Sequence, residues 1–535
     1  MRIQVKPSKL TVALLTMAVA FGLFAALPQM AYAANETELA TQINNFDPNN
    51  TGPATGQLTA VANTSNHTVT VTSGTTGARA SLALDISAGV TVIWNTEYNG
   101  WASDYSLIII NGKGTFEVAE GAVICNYGPY STIEGASIEC LIRVNGGTVS
   151  ADLSGNAILT VGRVEINDGT VLSDSGSCIY VGSRTFNTGG IVTINGGTLR
   201  TTGVGATISC SVSCDDIDFT MNSGFVDNTG TGHAIDFPGE HASVCQTGGT
   251  IQSSQGTPIR VTGMGSVFNI TGGFVHSVGG DPAVEARNIF IYGGHLRCAS
   301  NMGHYGTIKA IGRDSAVSVS GGMVEAGESF ALYQDDIGIT VVSGGFVFAY
   351  GTILEGDNSD ISLLFYEYPV ITGDGILCVW NKAAGNTVYT EGSSTDLTAT
   401  DGASVYWGTN SGVVGIHYTK GSNTGFLMIL GVTLQAAPTA STPPTSSSTT
   451  PDESSTSSSS GAESSSNPSA TNSEDDTDDD SPDSGIISGF NWLWILLGGL
   501  VVVALGCGTA FIVMRKKAKV SSGTTKDDLG TDPEP

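Results

Sequence analysis

The sequence predicts an all-β solenoid, and three observations carry that reading. A motif of alternating apolar residues around a tight glycine turn returns nine times between residues 142 and 349. The second Gly of the turn falls at Gly147, Gly169, Gly197, Gly224, Gly249, Gly273, Gly294, Gly322 and Gly345, a period of 21 to 28 residues that marks stacked structural repeats. The residues flanking each turn are mostly β-branched and spaced by two, which is strand periodicity.

Taken in order, the chain begins with a segment that is not part of the fold. Arg2, Lys6 and Lys9 precede an apolar run, and Ala31-Tyr32-Ala33 supplies a small-x-small cleavage site, so residues 1–33 read as a secretory signal peptide. Residues 34–80 are rich in Thr, Asn and Gly with little periodicity and read as a leader or N-terminal cap. Asp47-Pro48-Asn49-Asn50-Thr51-Gly52 opens like a calcium loop. Its twelfth position is Leu58, so the bidentate carboxylate of an EF-hand is missing.

From Ser81 the strands begin. Leu82, Leu84 and Ile86 alternate, then Val90, Val92 and Trp94, and after a loop come residues 107–110, Phe116 and Val118. These read as two less regular turns of the same solenoid, giving about eleven coils over residues 81–352. In the nine regular copies the columns align. Five residues before the second Gly stand Ile142, Val164, Val192, Phe219, Val244, Phe268, Ile289, Val317 and Thr340. Three before it, Gln246 alone interrupts an apolar column that starts at Val144; two after it, the column from Val149 to Val347 is apolar throughout. A third strand is expected at Ile158, Ile179, Ile208, Ile235, Ile259, Val284, Ile308 and Leu332. One such unit cannot bury its apolar face, and stacking builds a continuous core. Asn145, Asn167, Asn195 and Asn222 share one turn position and are placed to form an amide ladder.

Residues 353–436 keep β character without the period and read as a small β domain or a C-terminal cap closing the last open edge. Residues 437–485 turn abruptly to Ser, Thr, Pro and acidic residues, a composition that builds no core and predicts a disordered stalk. Residues 490–514 read as one transmembrane helix, with an uncharged apolar run from position 492 and Trp492 and Trp494 at its outer end. Arg515, Lys516, Lys517 and Lys519 follow, so residues 515–535 are expected to be a cytoplasmic tail. The expected location is the cell membrane, crossed once, with the N-terminal body outside.

The whole chain carries a formal charge of −28, and residues 34–436 hold 35 acidic against 13 basic residues. That surface argues against nucleic acid and anionic polymers as partners. Eight cysteines lie in the exported part, and their irregular spacing favours buried thiols over a disulfide framework. Neither they nor the seven histidines show metal-ligand spacing, so no metal or cofactor is expected.

The repeats, as in Val144-Asn145-Gly146-Gly147-Thr148-Val149, resemble those of right-handed parallel β-helix surface proteins of the pectate-lyase-like superfamily. Residues 380–386 (WNKAAGN) and 423–426 (NTGF) are similar to segments of membrane-anchored proteins from Gram-positive-type bacteria. The resemblance implies a right-handed parallel β-helix. It leaves activity open, because that architecture serves lyases, hydrolases and adhesins alike. The carboxylate groups Asp215, Asp216 and Asp218, and Asp335 and Asp336, lie several coils apart, and Gly232-His233-Ala234 and Gly294-His295-Leu296 miss the Gly-His-Gly of polygalacturonase-like enzymes. Arg260, Arg287 and Arg313 stand in no recognisable lyase context. No catalytic residue is assigned.

The position after the second Gly should face outward. It reads Thr148, Thr170, Thr198, Phe225, Thr250, Phe274, His295, Met323 and Phe346. Phe225, Phe274, His295, Met323 and Phe346 are the candidate binding residues, for an extracellular glycan or a surface protein. The competing reading is that the segment after Gly351 folds back over them. The sequence thus points to a membrane-anchored surface protein with a binding or adhesive role; a polysaccharide lyase or glycoside hydrolase is the alternative.

Overall fold

The computed structural model describes residues 34–49, 58–102, 104–182, 189–299, 306–327, 331–334, 336–351, 363–364, 369–382 and 386–437. The expected signal peptide, stalk, transmembrane helix and tail lie outside these residues, as do Asp335, His304 and the Ala383-Ala384-Gly385 part of the WNKAAGN segment. Among the described residues no helix is long and apolar enough to cross a membrane.

The chain winds as a parallel β-solenoid of about eleven coils with three faces. Face one holds the strands before each glycine corner, face two the strands after it, and face three the separate ladder running from Leu82–Ile86 to Leu363–Leu364. The register follows the sequence columns. On face one Ile142 pairs with Val164, Val192, Phe219, Val244, Phe268 and Ile289 in successive coils. On face three Ile158, Ile179, Ile208, Ile235, Ile259, Val284, Ile308 and Leu332 run in register. All are buried, so one apolar core runs the length of the rod.

The corner needs glycine for two reasons. Gly224 has φ 91°, in the left-handed region that residues with a Cβ avoid. A Cβ there would also stand 2.8 Å from the backbone of Gly196 in the coil below. The two polar residues that interrupt the columns are nonetheless buried. Gln246 sends its amide nitrogen to the carbonyls of Gly248 and Gly249 at 3.3 Å each, and Thr340 meets the amide of buried Gln334. Beside the corners the asparagine ladder forms: Asn167 donates to Asn145 at 2.7 Å, Asn195 to Asn167 and Asn222 to Asn195 at 2.8 Å. Thr247 continues it, donating to Asn222 at 2.9 Å.

Both boundaries of the solenoid move outward from the expected 81–352. At the N-terminus, Thr68–Ser73 and Thr75–Ala78 already pair in parallel with the next coil. Val69 and Val71 point inward while the alternating threonines face out, a β pattern hidden in a Thr-rich composition. The cap itself is α1, Glu36–Asn44, which buries Leu39 and Ile43 over the open end of the core. Asn35 starts it with a capping box: its side chain accepts from the Thr37 and Glu38 amides, and the Glu38 carboxylate accepts from the Asn35 amide.

At the other end, Val370–Ile371 extends face one and Ile376–Asn381 extends face two, both in parallel. Leu397–Ala399 then pairs antiparallel with Ile376–Asn381 and ends the parallel run. A three-stranded antiparallel meander follows, Ser404–Asn410, Val413–Lys420 and Asn423–Met428. It builds a second core on the outer side of face two. Phe346, Phe348, Ile376, Cys378 and Trp380 point away from the solenoid axis into this core, while Val347, Ala349 and Leu377 between them point inward. Asn423 fixes the meander to the last corners, donating to the Gly345 carbonyl at 2.6 Å and the Asp374 carbonyl at 2.9 Å. The Asp374 carboxylate accepts from the Ser422 amide and hydroxyl, bonds that hold its pKa below the usual range.

Candidate functional site

The outward column of face two stands in register as expected, from Thr148 through Thr170, Thr198, Phe225, Thr250, Phe274, His295 and Met323 to Phe346. Its residues do not share one environment. Phe346 is 0% exposed and lies parallel to the Tyr418 ring at a centroid distance of 3.9 Å. Phe346 is therefore a core residue of the meander rather than an exposed binding residue. The inward-outward alternation fixed its direction correctly, but an outward residue is free only where nothing packs on it. Met323 is half-buried at the edge of the same core. Phe225, Phe274 and His295 remain half-buried on the open part of the face.

A second outward column runs two residues further along each strand: Arg200, Asp227, Gln252, His276, Arg297 and Glu325. Two clusters result. In the first, Arg200 Nε bonds Asp227 Oδ2 at 2.8 Å, Gln252 Nε2 bonds Asp227 Oδ1 at 3.0 Å, and the Arg200 guanidinium lies 5.9 Å over the Phe225 ring. Asp227 is only 1% exposed, tolerated because both of its oxygens are bonded. In the second, Phe274 stacks on His276 at 5.3 Å and contacts His295 at 5.1 Å. His295 Nε2 lies 2.9 Å from Glu325, and Arg297 lies 3.4 Å from the same carboxylate. Burial pushes the His276 pKa down from 6.5, and nearby Arg297 adds to this. Its Nε2 is buried without a partner among the described residues. The periodicity marked Phe225 and Phe274; Asp227, His276 and Glu325 went unnoticed, because single polar residues two positions beyond a corner carry no motif.

Of the carboxylates that the sequence set several coils apart, Asp215, Asp216 and Asp336 are local corner residues. Asp216 is exposed at φ 57° and Asp215 accepts from the Glu240 amide, so both belong to a corner. Asp336 is half-buried and accepts from the Ile337 amide next to it. Face three carries a different arrangement, Asp236, Arg260, Glu285 and Lys309 in register on successive coils. Arg260 lies 3.5 Å from Asp236 and Lys309 lies 3.4 Å from Glu285. Burial raises the Asp236 pKa, against the opposing pull of Arg260. Among the described residues no group of three or more His, Cys, Asp or Glu is arranged to hold a metal ion.

The eight cysteines among the described residues are free thiols, and all but half-buried Cys245 are buried. Burial pushes the Cys178 thiol up to about 12, so it acts as a small apolar residue rather than a nucleophile. No protein-family model, curated protein or solved structure matches this chain.

Proposed function

We propose that this chain is a membrane-anchored, cell-surface rod of the right-handed parallel β-helix type whose task is to bind an extracellular partner. The observation that carries the reading is the open middle of face two. There Phe225, Phe274 and His295 stand in one column beside ion-paired Arg200 and Arg297. Flat sheet, aromatic rings and fixed polar groups together suit recognition of a glycan or a protein surface. Asp227 and Glu325, the carboxylates beside these rings, are each paired with a neighbouring arginine, which suits a fixed binding surface better than acid–base catalysis.

One observation favours a second reading, a polysaccharide hydrolase or lyase. Asp236 has a raised pKa, and two coils of ~4.8 Å place Glu285 roughly 10 Å from it along the rod. Arg260 occupies the coil between them. The test exposes the full-length chain to a glycan array and to cells, with a reducing-sugar release assay on every hit. The binding reading expects hits without released sugar, and weaker binding for a Phe225→Ala, Phe274→Ala double variant of unchanged melting temperature. Sugar release that is abolished in Asp236→Asn would establish the enzyme instead.

A further inference from the structure

Face three carries a cleft that the sequence did not announce. Its volume is about 770 Å³, within the roughly 300–1,000 Å³ of small-molecule sites. Ser106, Glu134, Leu159, Tyr180 and Ser211 contribute to its lining from five successive coils. Four intervals at ~4.8 Å make it roughly 19 Å long, parallel to the rod axis. Tyr105 and Tyr130 supply further aromatic walls.

The cleft is built rather than incidental. Asn126, fully buried, holds the wall that carries Tyr130: its Nδ2 donates to the Tyr130 carbonyl at 2.9 Å and the Ser131 carbonyl at 3.2 Å. Its Oδ1 accepts from the Gly128 amide at 3.0 Å. Glu134 is held by the Ser106 hydroxyl at 2.7 Å, and that bond leaves acceptor capacity on the carboxylate. Tyr180 is half-buried with a hydrogen bond to Ser211, and burial raises its pKa, so it stays a neutral phenol.

Charge, shape and side-chain type narrow the ligand. Among the described residues the lining contains Asp104 and Glu134 but no Lys, Arg or His, so they offer an anion no counter-charge. Phenol rings beside carboxylate and hydroxyl acceptors match the two sides of a sugar: apolar C–H faces that lie on rings, and hydroxyls that donate. A cleft crossing five coils fits an extended chain of rings better than one compact cation. We propose that this cleft is a binding site for a short neutral oligosaccharide, with Tyr105, Tyr130 and Tyr180 as stacking surfaces and Glu134 accepting from sugar hydroxyls. It is separate from the open part of face two and does not depend on that surface being a binding site.

The test titrates the full-length chain, in a detergent without a sugar headgroup, with cellotetraose and with triacetylchitotriose, read by saturation-transfer NMR. At least one sugar binds, and binding weakens at least tenfold in Glu134→Gln and in Tyr105→Ala. Tyr105 is 66% exposed, so its truncation leaves the melting temperature in place and keeps the test valid if Glu134→Gln fails to fold. Met264→Ala, an exposed residue outside both surfaces, binds as the parent does. The proposal is overturned if neither sugar binds or if both cleft variants bind as the parent does. It is equally overturned if tetralysine displaces the sugars, which would make the cleft a basic-peptide site. Loss of binding in Phe274→Ala alone would move the sugar to face two, against the cleft and in favour of the surface proposed above.

Discussion

Phe274 and Phe346 stand in the same outward column of face two, three coils apart, in opposite environments. Phe274 is half-buried beside two histidines on the open face. Phe346 is sealed against Tyr418 by the meander. The same repeat position, filled by the same residue type, is a candidate contact in one coil and a core residue in another. Repeat register tells which way a side chain points; only the chain that returns from elsewhere decides whether it is covered.

The largest effect should separate the two phenylalanines. Phe346→Ala is expected to destabilise the chain by about 3–5 kcal/mol, as truncation of a fully buried Phe does, and urea unfolding would show it. A loss below ~1 kcal/mol would mean that the meander does not seat on face two. Arg200→Ala should cost less, about 1–3 kcal/mol, because it leaves the buried Asp227 carboxylate with Gln252 alone. Phe274→Ala should stay within about 1 kcal/mol of the parent, since part of its ring already meets water, while weakening partner binding.

The smallest effect is a pH dependence. His276 sits beside Arg297, His295 and Glu325, and its folded pKa lies below the 6.5 of the free side chain. As pH falls through 6.5 the unfolded chain takes up a proton that the folded site resists, so stability declines until the folded pKa is passed. In His276→Gln that part of the slope should vanish from melting curves taken between pH 7 and pH 5. An unchanged slope would show that His276 is not shielded by Phe274 and its neighbours.

Most of the fold was legible because it repeats. The glycine corners, both columns flanking them and the third-strand isoleucines can be read from spacing alone, and the asparagine ladder followed from four residues at one position. What the sequence hid lacks a period. Val69 and Val71 open the first coil inside a run of threonines, and α1 is a single short helix whose only strong signal is Asn35 followed three residues later by Glu38. The candidate site was half legible. Phe225 and Phe274 belong to a column, whereas Asp227, His276 and Glu325 acquire meaning only from partners in neighbouring coils. The cover over Phe346 comes from residues some 70 positions later, beyond any local pattern.

Hydroxyl-radical footprinting of the full-length chain compares the two ends of face two most directly. Phe225, Phe274 and His295 should be oxidised readily, while Phe346, Tyr418 and Trp407 stay protected until the chain unfolds. Equal oxidation of Phe346 and Phe274 under native conditions would contradict the account, because it would mean that face two is open to its end.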